Sequence, residues 1–295
     1  MQPRPPGRLT GAPVTKWLLI SNIVIFVIDL MLRPQAPHGA PSWYYEPSML
    51  GRLGEFSIDT AIQGGQVWRF LTFQFLHANL MHVLFNMWGI YLFGPLLERW
   101  FRSKPFAVFY LLTGVAGALF YALLIVLPGF LPDGMLGARL VGASAGVFGI
   151  LVGVAVISPE GQVRLLFPPI PMKMRTFALV FLAIEVFIVL SNGGNAGGSA
   201  GHLGGALAGF LLMKIGPARM WLAGLGSGVK RVPKKMPRGP GKKKFPDYAS
   251  KLRPSSAVTE EDESEVDRIL DKISREGLQS LTDAERELLK RASGK

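Results

Sequence analysis

The stretch FLHANLMHVLFNMWGIYLFG, residues 75–94, contains no Asp, Glu, Lys or Arg. A helix needs roughly 20 apolar residues to cross the hydrocarbon core of a bilayer, so this run reads as the entrance and most of a membrane span at about 79–97. Two polar side chains separate it from a plain hydrophobic anchor. His82 and Asn86 are four apart, one helical turn from each other on one face, and His77 stands five before His82 at the helix entrance. Polar groups at membrane depth are costly and mark either a structural pair or a functional site. Alone, His82 and Asn86 read as an interhelical hydrogen-bonding pair, and His77 as a structural hydrogen-bonding group.

The rest of the chain repeats the apolar pattern. Spans are expected at about 17–32, 79–97, 105–127, 141–158, 175–191 and 199–215, the first carrying Asp29 and lacking a small-residue cleavage site. An all-α polytopic membrane protein follows, in agreement with 49% apolar residues among 295 and a mean hydropathy of +0.32. No cysteine is present, which excludes a disulfide framework, thiolate catalysis and Cys-based metal sites. The net charge of +12 is concentrated. Residues 1–213 hold 13 Lys and Arg against 8 Asp and Glu, whereas residues 214–253 hold 12 against 1. That basic stretch, rich in Gly and Pro, reads as a linker that attracts anionic membrane lipid at a cytoplasmic face and not as a nucleic-acid site. Loop Lys and Arg counts place both termini in the cytoplasm.

Two further segments carry chemistry. In VGASAGVFGILVG, residues 141–153, Ser144 stands among Gly142, Ala143, Ala145 and Gly146, at the expected start of span four. There its hydroxyl is open to approach, and helix N–H groups face a developing anion. Serine in a small-residue helix is also ordinary packing. In SAGHLGGALAGF, residues 199–210, His202 precedes Gly205 and Gly209, and by itself reads as a packing or proton-relay residue. The pairs Gly149/Gly153 and Gly205/Gly209 allow spans four and six to approach closely. If they do, Ser144 and His202 come within reach, and a Ser–His contact makes an activated nucleophile.

Together, Trp68-Arg69, His77 with His82 and Asn86, Gly94-x3-Glu98, GASAG around Ser144, and His202 with Gly205 and Gly209 resemble the rhomboid family of intramembrane serine proteases, over about residues 15–215. The resemblance implies a six-helix bundle with its dyad in a water-filled cavity opening outward. It assigns Ser144 as nucleophile, His202 as general base, and His82 and Asn86, with the Ser144 N–H, as the oxyanion hole. It implies no cofactor and no metal, transmembrane proteins as substrates, and Glu98 and Arg69 as structural groups. The localisation it suggests is a bacterial inner membrane.

Three departures from the family pattern stand out: Ala145 where a glycine is common, Phe148 where a tyrosine often stacks on the histidine, and Arg102 in place of a glycine four after Glu98. None removes a catalytic group. Spans four and six contain no acidic residue, so a third triad member is absent from them. The alternatives are a non-catalytic, rhomboid-like protein that binds membrane clients, and a metal enzyme using His77, His82 and His202. The metal reading lacks an HExxH motif, and His77 and His82 do not share a helical face.

The expected organisation is a cytoplasmic segment 1–16, the membrane domain 17–215, a disordered basic linker 216–260 and a cytoplasmic helical hairpin 261–295. In the hairpin, Val266, Ile269, Leu270 and Ile273 lie at helical spacing, and Thr282 with Glu285 forms a capping box. The hairpin suits docking to a partner protein or contact with the membrane surface.

Overall fold

Helix α1 (Pro13–Met31) starts on a proline, whose fixed φ suits a first turn, and has no acidic residue there to meet its free N–H groups. The partner comes from 83 residues away. Buried Glu98 accepts from the Val14 N–H at 2.9 Å, the Thr15 N–H at 2.7 Å and the Thr15 hydroxyl at 2.7 Å, and also from the Ser103 hydroxyl. A carboxylate on a helix N-terminus gains from both the hydrogen bonds and the dipole. The structural role expected for Glu98 is this clamp.

This computed structural model describes residues 7–35, 46–127, 129–131, 135–164, 170–226, 268–269, 272 and 281–285. After α1 come the short helices α2 (Met49–Gly54) and α3 (Arg69–Thr72), separated by a π-helical turn at Ile58–Gln63. The long helices follow: α4 (Leu80–Phe101), α5 (Ser103–Val126), α6 (Ser144–Ile157), α7 (Met174–Leu190) and α8 (Ala196–Lys214), then α9 (Gly216–Gly226). A two-stranded antiparallel ribbon, β1 (Gln162–Arg164) and β2 (Pro171–Lys173), joins α6 to α7. The chain forms a helical membrane bundle. Helix α6 lies at its centre, with Ala145 to Val154 almost wholly buried, while Trp17, Phe85, Trp88, Leu119, Phe187 and Phe210 point outward. Apolar side chains outward and backbone groups satisfied within helices is the pattern a bilayer imposes.

Six spans were expected; by length and composition, three of the described helices (α1, α4 and α5) are long and apolar enough to cross a membrane. Helix α6 has 14 residues, about 21 Å at 1.5 Å per residue, because the chain stays non-helical up to Ala143. Helix α7 has 17 residues, and α8 is diluted by glycine.

The described part of the segment between α1 and α4, residues 46–79, is a packed unit. Phe56 and Leu140 exchange backbone hydrogen bonds at 3.1 and 2.7 Å, and the Gly142 N–H donates to the Phe73 carbonyl at 2.9 Å. Arg69 donates to the carbonyls of Arg52 and Glu55 and to Gln66 Oε1, the structural part expected of it. Asp29 is paired with Arg33 at 2.7 Å and accepts from the Ser48 hydroxyl; Arg33 in turn donates to the carbonyls of His77 and Ala78. These bonds tie the end of α1 to the entrance of α4.

The chain divides into two compact units, Met1–Arg231 and Val232–Lys295. Residues 216–226, expected to open the disordered linker, are helical instead and carry Leu222 into the apolar core. An apolar face that can be buried outweighs the Gly and Pro at its start. The rest of the expected linker, and most of the hairpin, lie outside the described residues. Within the second unit the capping box forms: the Thr282 N–H donates to Glu285 Oε2 at 2.8 Å, and the Glu285 N–H to Thr282 Oγ1 at 3.4 Å.

Arg102 closes α4 at φ +73°, ψ 166°, a region that is essentially glycine's and costs other residues about 1–3 kcal/mol. Its side chain is exposed. Arg102→Gly is therefore expected to stabilise the protein by about 1 kcal/mol, read as a higher unfolding midpoint in detergent, with Arg102→Ala giving no gain.

Candidate active site

Ser144 is the first residue of α6, half-buried, and the helix start has no side-chain cap. The first N–H groups of a helix have no intrahelical acceptor, so those of Ser144 and its neighbours remain available. Gly142 sets the approach. Its φ of +121° suits a glycine, and a Cβ there would stand 2.6 Å from His82 Nε2 and 3.5 Å from Ser144 Oγ. The missing side chain thus leaves a small space bordered by the His82 ring and the Ser144 hydroxyl.

Helix α4 supplies that ring. Asn79 caps it, accepting from the His82 N–H at 2.9 Å, which places His82 in the first turn and Asn86 one turn deeper. Asn86 is buried, and its Nδ2 donates to the His82 carbonyl at 3.0 Å. That bond lies within one helix, so the expected interhelical pairing is not what holds Asn86. It uses one amide hydrogen and leaves the second. Buried His77 meets His82 edge-on, with centroids 5.1 Å apart. It lies before the helix, where burial foremost, with the neighbouring His82 second, pushes its imidazole down to about 3. His77 is neutral at physiological pH and acts as a wall behind His82.

Helix α8 carries His202. His202 stacks on Phe148, one turn after Ser144, with centroids 4.6 Å apart and planes 9° from parallel. Phe148 thus performs the stacking expected of the family's aromatic without a hydroxyl. Helices α6 and α8 come close enough for this because a Cβ on Gly205 would collide with the Ala145 carbonyl oxygen, and one on Gly209 would lie 2.8 Å from the Gly149 carbonyl oxygen. The expected meeting of spans four and six through glycines is present. Ser144 Oγ and His202 are not hydrogen-bonded in this structure, and such contacts commonly tighten only with substrate bound.

Residues 64–219 match the model of the Rhomboid domain. The chain belongs to the rhomboid family. Rhomboids are integral membrane proteins, and this one is 28% identical over 200 residues to Rhomboid-like protease 3 of Toxoplasma gondii, covering 67% of this chain and 66% of the relative. It is 26% identical over 209 residues to the Rhomboid protease GlpG of Yersinia pestis, covering 70% and 63%. A shorter match, 32% over 78 residues, covering 26% of this chain and 22% of the relative, is to the Inactive RHOMBOID-like protein 8 of Arabidopsis thaliana. This rhomboid spans about two thirds or less of these relatives' lengths. Residues 259–295 match a family of unknown function, DUF6576.

One residue beside the site escaped the reading of the sequence. Glu185 of α7 places Oε2 3.1 Å from His202 Nδ1. A search of spans four and six for an acid could not find it, since it stands on span five. The available signal was its isolation: it is the lone acid in MRTFALVFLAIEVFIVL, and an ionisable group in such a segment asks for a partner.

Gly205→Ala is expected to lower the unfolding midpoint in detergent by the equivalent of about 1–3 kcal/mol, the cost of overpacking a tight contact. Gly194→Ala, where a Cβ meets nothing within 4 Å, serves as the silent control.

Proposed function

We propose that this rhomboid is an intramembrane serine endopeptidase that hydrolyses peptide bonds in or near transmembrane helices of membrane proteins. The observation that carries the reading is the parallel stack of His202 on Phe148, one turn from Ser144, across the glycine contact of α6 and α8. Ser144 Oγ attacks the scissile carbonyl while its proton passes to His202 Nε2. The oxyanion forms in front of Gly142, where the Ser144 N–H, the second amide hydrogen of Asn86 and the His82 ring supply donors. His202 then returns the proton to the leaving amine, and a water repeats the sequence to release the acyl group. No metal or cofactor takes part. Two of the relatives named above are called proteases, which supports the class.

Substrates are membrane proteins whose helices unwind locally, since a continuous helix hides its peptide bonds. In the same reading both termini are cytoplasmic in a bacterial inner membrane. The membrane domain covers 17–215 and continues through α9, and the basic residues of 214–253 bind anionic lipid. The tail 261–295 docks a partner or the membrane surface.

The test is cleavage of a single-pass model substrate by purified protein in lipid. Ser144→Ala and His202→Ala are expected to abolish cleavage, and Asn86→Ala to lower kcat by about 10²–10³, the usual effect of losing one oxyanion donor. Equal cleavage by all forms overturns the assignment. A non-catalytic membrane-protein binder is the second reading, favoured by the existence of a relative named inactive. Labelling of Ser144 by a serine-reactive fluorophosphonate separates the two: an unlabelled but folded protein that still binds substrate is a binder.

A further inference from the structure

A histidine that stacks on one ring still has a choice. Flipping an imidazole by 180° about its Cβ–Cγ bond keeps the plane of the Phe148 stack and exchanges Nδ1 with Cδ2 and Nε2 with Cε1, and either nitrogen can carry the proton. Stacking on Phe148 therefore sets the plane of His202 and leaves its orientation and tautomer open. Only a polar partner on one edge resolves them, and Glu185 stands there. Its Oε2 lies 3.1 Å from Nδ1, with the side chains of His202 and Glu185 15% and 11% exposed. The two atoms are at hydrogen-bond distance, off the ideal line, and neither has another hydrogen-bond partner among the described residues. Nδ1 thus faces Glu185 as its acceptor, while the carboxylate has a second donor beside it. Ser199, buried three residues before His202, lies beside the same carboxylate. From the remaining sides His202 faces Phe148 of α6 and His82 of α4.

We propose that Glu185 is the positioning residue of His202: its carboxylate accepts the Nδ1 proton, so that Nε2 carries the lone pair and faces Ser144. This rests on the serine-protease reading above and deepens it. When Ser144 Oγ bonds to the substrate carbonyl carbon, its proton moves to Nε2; Nδ1 keeps its own proton, and Glu185 stays ionised beside the imidazolium. When the C–N bond breaks, the Nε2 proton leaves with the amine, so Glu185 gains and loses nothing over the cycle. The dyad becomes a triad assembled from three helices, the third member coming from α7.

The experiment compares wild type, Glu185→Ala, Glu185→Gln and Glu185→Asp in lipid, by cleavage kinetics and by 15N NMR of the histidine rings. The His202 signal is identified by its loss in His202→Gln. Wild type is expected to show His202 protonated at Nδ1, and Glu185→Ala to move the proton toward Nε2. Cleavage should fall about 10²- to 10³-fold in kcat for Glu185→Ala, with KM within threefold, and Glu185→Asp should recover at least tenfold. Glu185→Gln keeps an acceptor without the charge, so it retains the Nδ1 tautomer but loses kcat, and with Glu185→Asp it decides the matter should Glu185→Ala not fold. An unchanged tautomer, or unchanged kcat in folded variants with only a lower unfolding midpoint, overturns the proposal and leaves Glu185 a helix tether. Should wild type neither cleave nor label at Ser144, the protease reading fails. The ring NMR then judges the positioning alone: a tautomer shift in Glu185→Ala upholds it, and no shift overturns it.

Discussion

The arrangement depends on one steric fact: at Gly205, α8 runs so close to the Ala145 carbonyl that no side chain fits between them. In lipid, helices gain little from hiding apolar surface from water, so their association rests on close packing and on hydrogen bonds. Glycine makes that packing possible. A third helix joins at the same level, where a Cβ on Gly117 of α5 would stand 2.5 Å from the Ala145 Cβ and 2.6 Å from the Gly201 carbonyl oxygen. Ala145 and Gly201 are the sequence neighbours of Ser144 and His202. The backbones that meet at these contacts are those that carry Ser144 and His202, so an error in packing displaces both side chains directly. Under the proposed function a displacement near 1 Å at the reacting atoms would cost about 10² in rate, which makes tight small-residue contacts a sound support for two side chains borne on separate helices.

The strand-like approach to Ser144 is held from the other side. Residues 140–142 carry no helix hydrogen bonds of their own, and the segment between α1 and α4 supplies them, through Phe56 to Leu140 and Phe73 to Gly142. The buried rings of Phe56, Phe73 and Tyr121 pack behind this seam. That explains both the shortness of α6 and the place of Ser144 at its first turn: the chain enters the bundle extended, turns at Gly142 where φ is positive, and only then becomes helical.

How much of this a linear reading recovers depends on the range of the interaction. Local and periodic features are visible: the one-turn spacing of His82 and Asn86, the small residues around Ser144, the capping pair Thr282 and Glu285, and the glycines that bring α6 to α8. Features that join distant segments by a single contact are not. Glu98 looks structural in sequence, yet only the structure shows it seated on the start of α1. Glu185 reads as an isolated acid because its partner lies on another helix, 17 positions away and on the far side of a turn. The difference between six expected spans and three of full length and hydropathy has a similar origin. Windows of apolar residues register span four, but they cannot tell that the residues leading into α6 are held non-helical by Phe56 and Phe73.

The polar groups within the apolar bundle sort themselves by how well they are satisfied. Asp29 has Arg33 and Ser48, Glu98 has four donors, and Thr113 donates to carbonyls of its own helix. These groups are closed, as buried polar groups in a stable protein should be. Two groupings in the bundle are less tightly bonded: buried Tyr110 faces Asn22, and Glu185 lies beside both His202 and Ser199. The second grouping sits at His202, whose ring stacks on Phe148 one turn after Ser144. The bundle therefore bonds its structural polar groups closely within the fold, and at His202 it gathers beside one imidazole a carboxylate from α7 and a hydroxyl from α8.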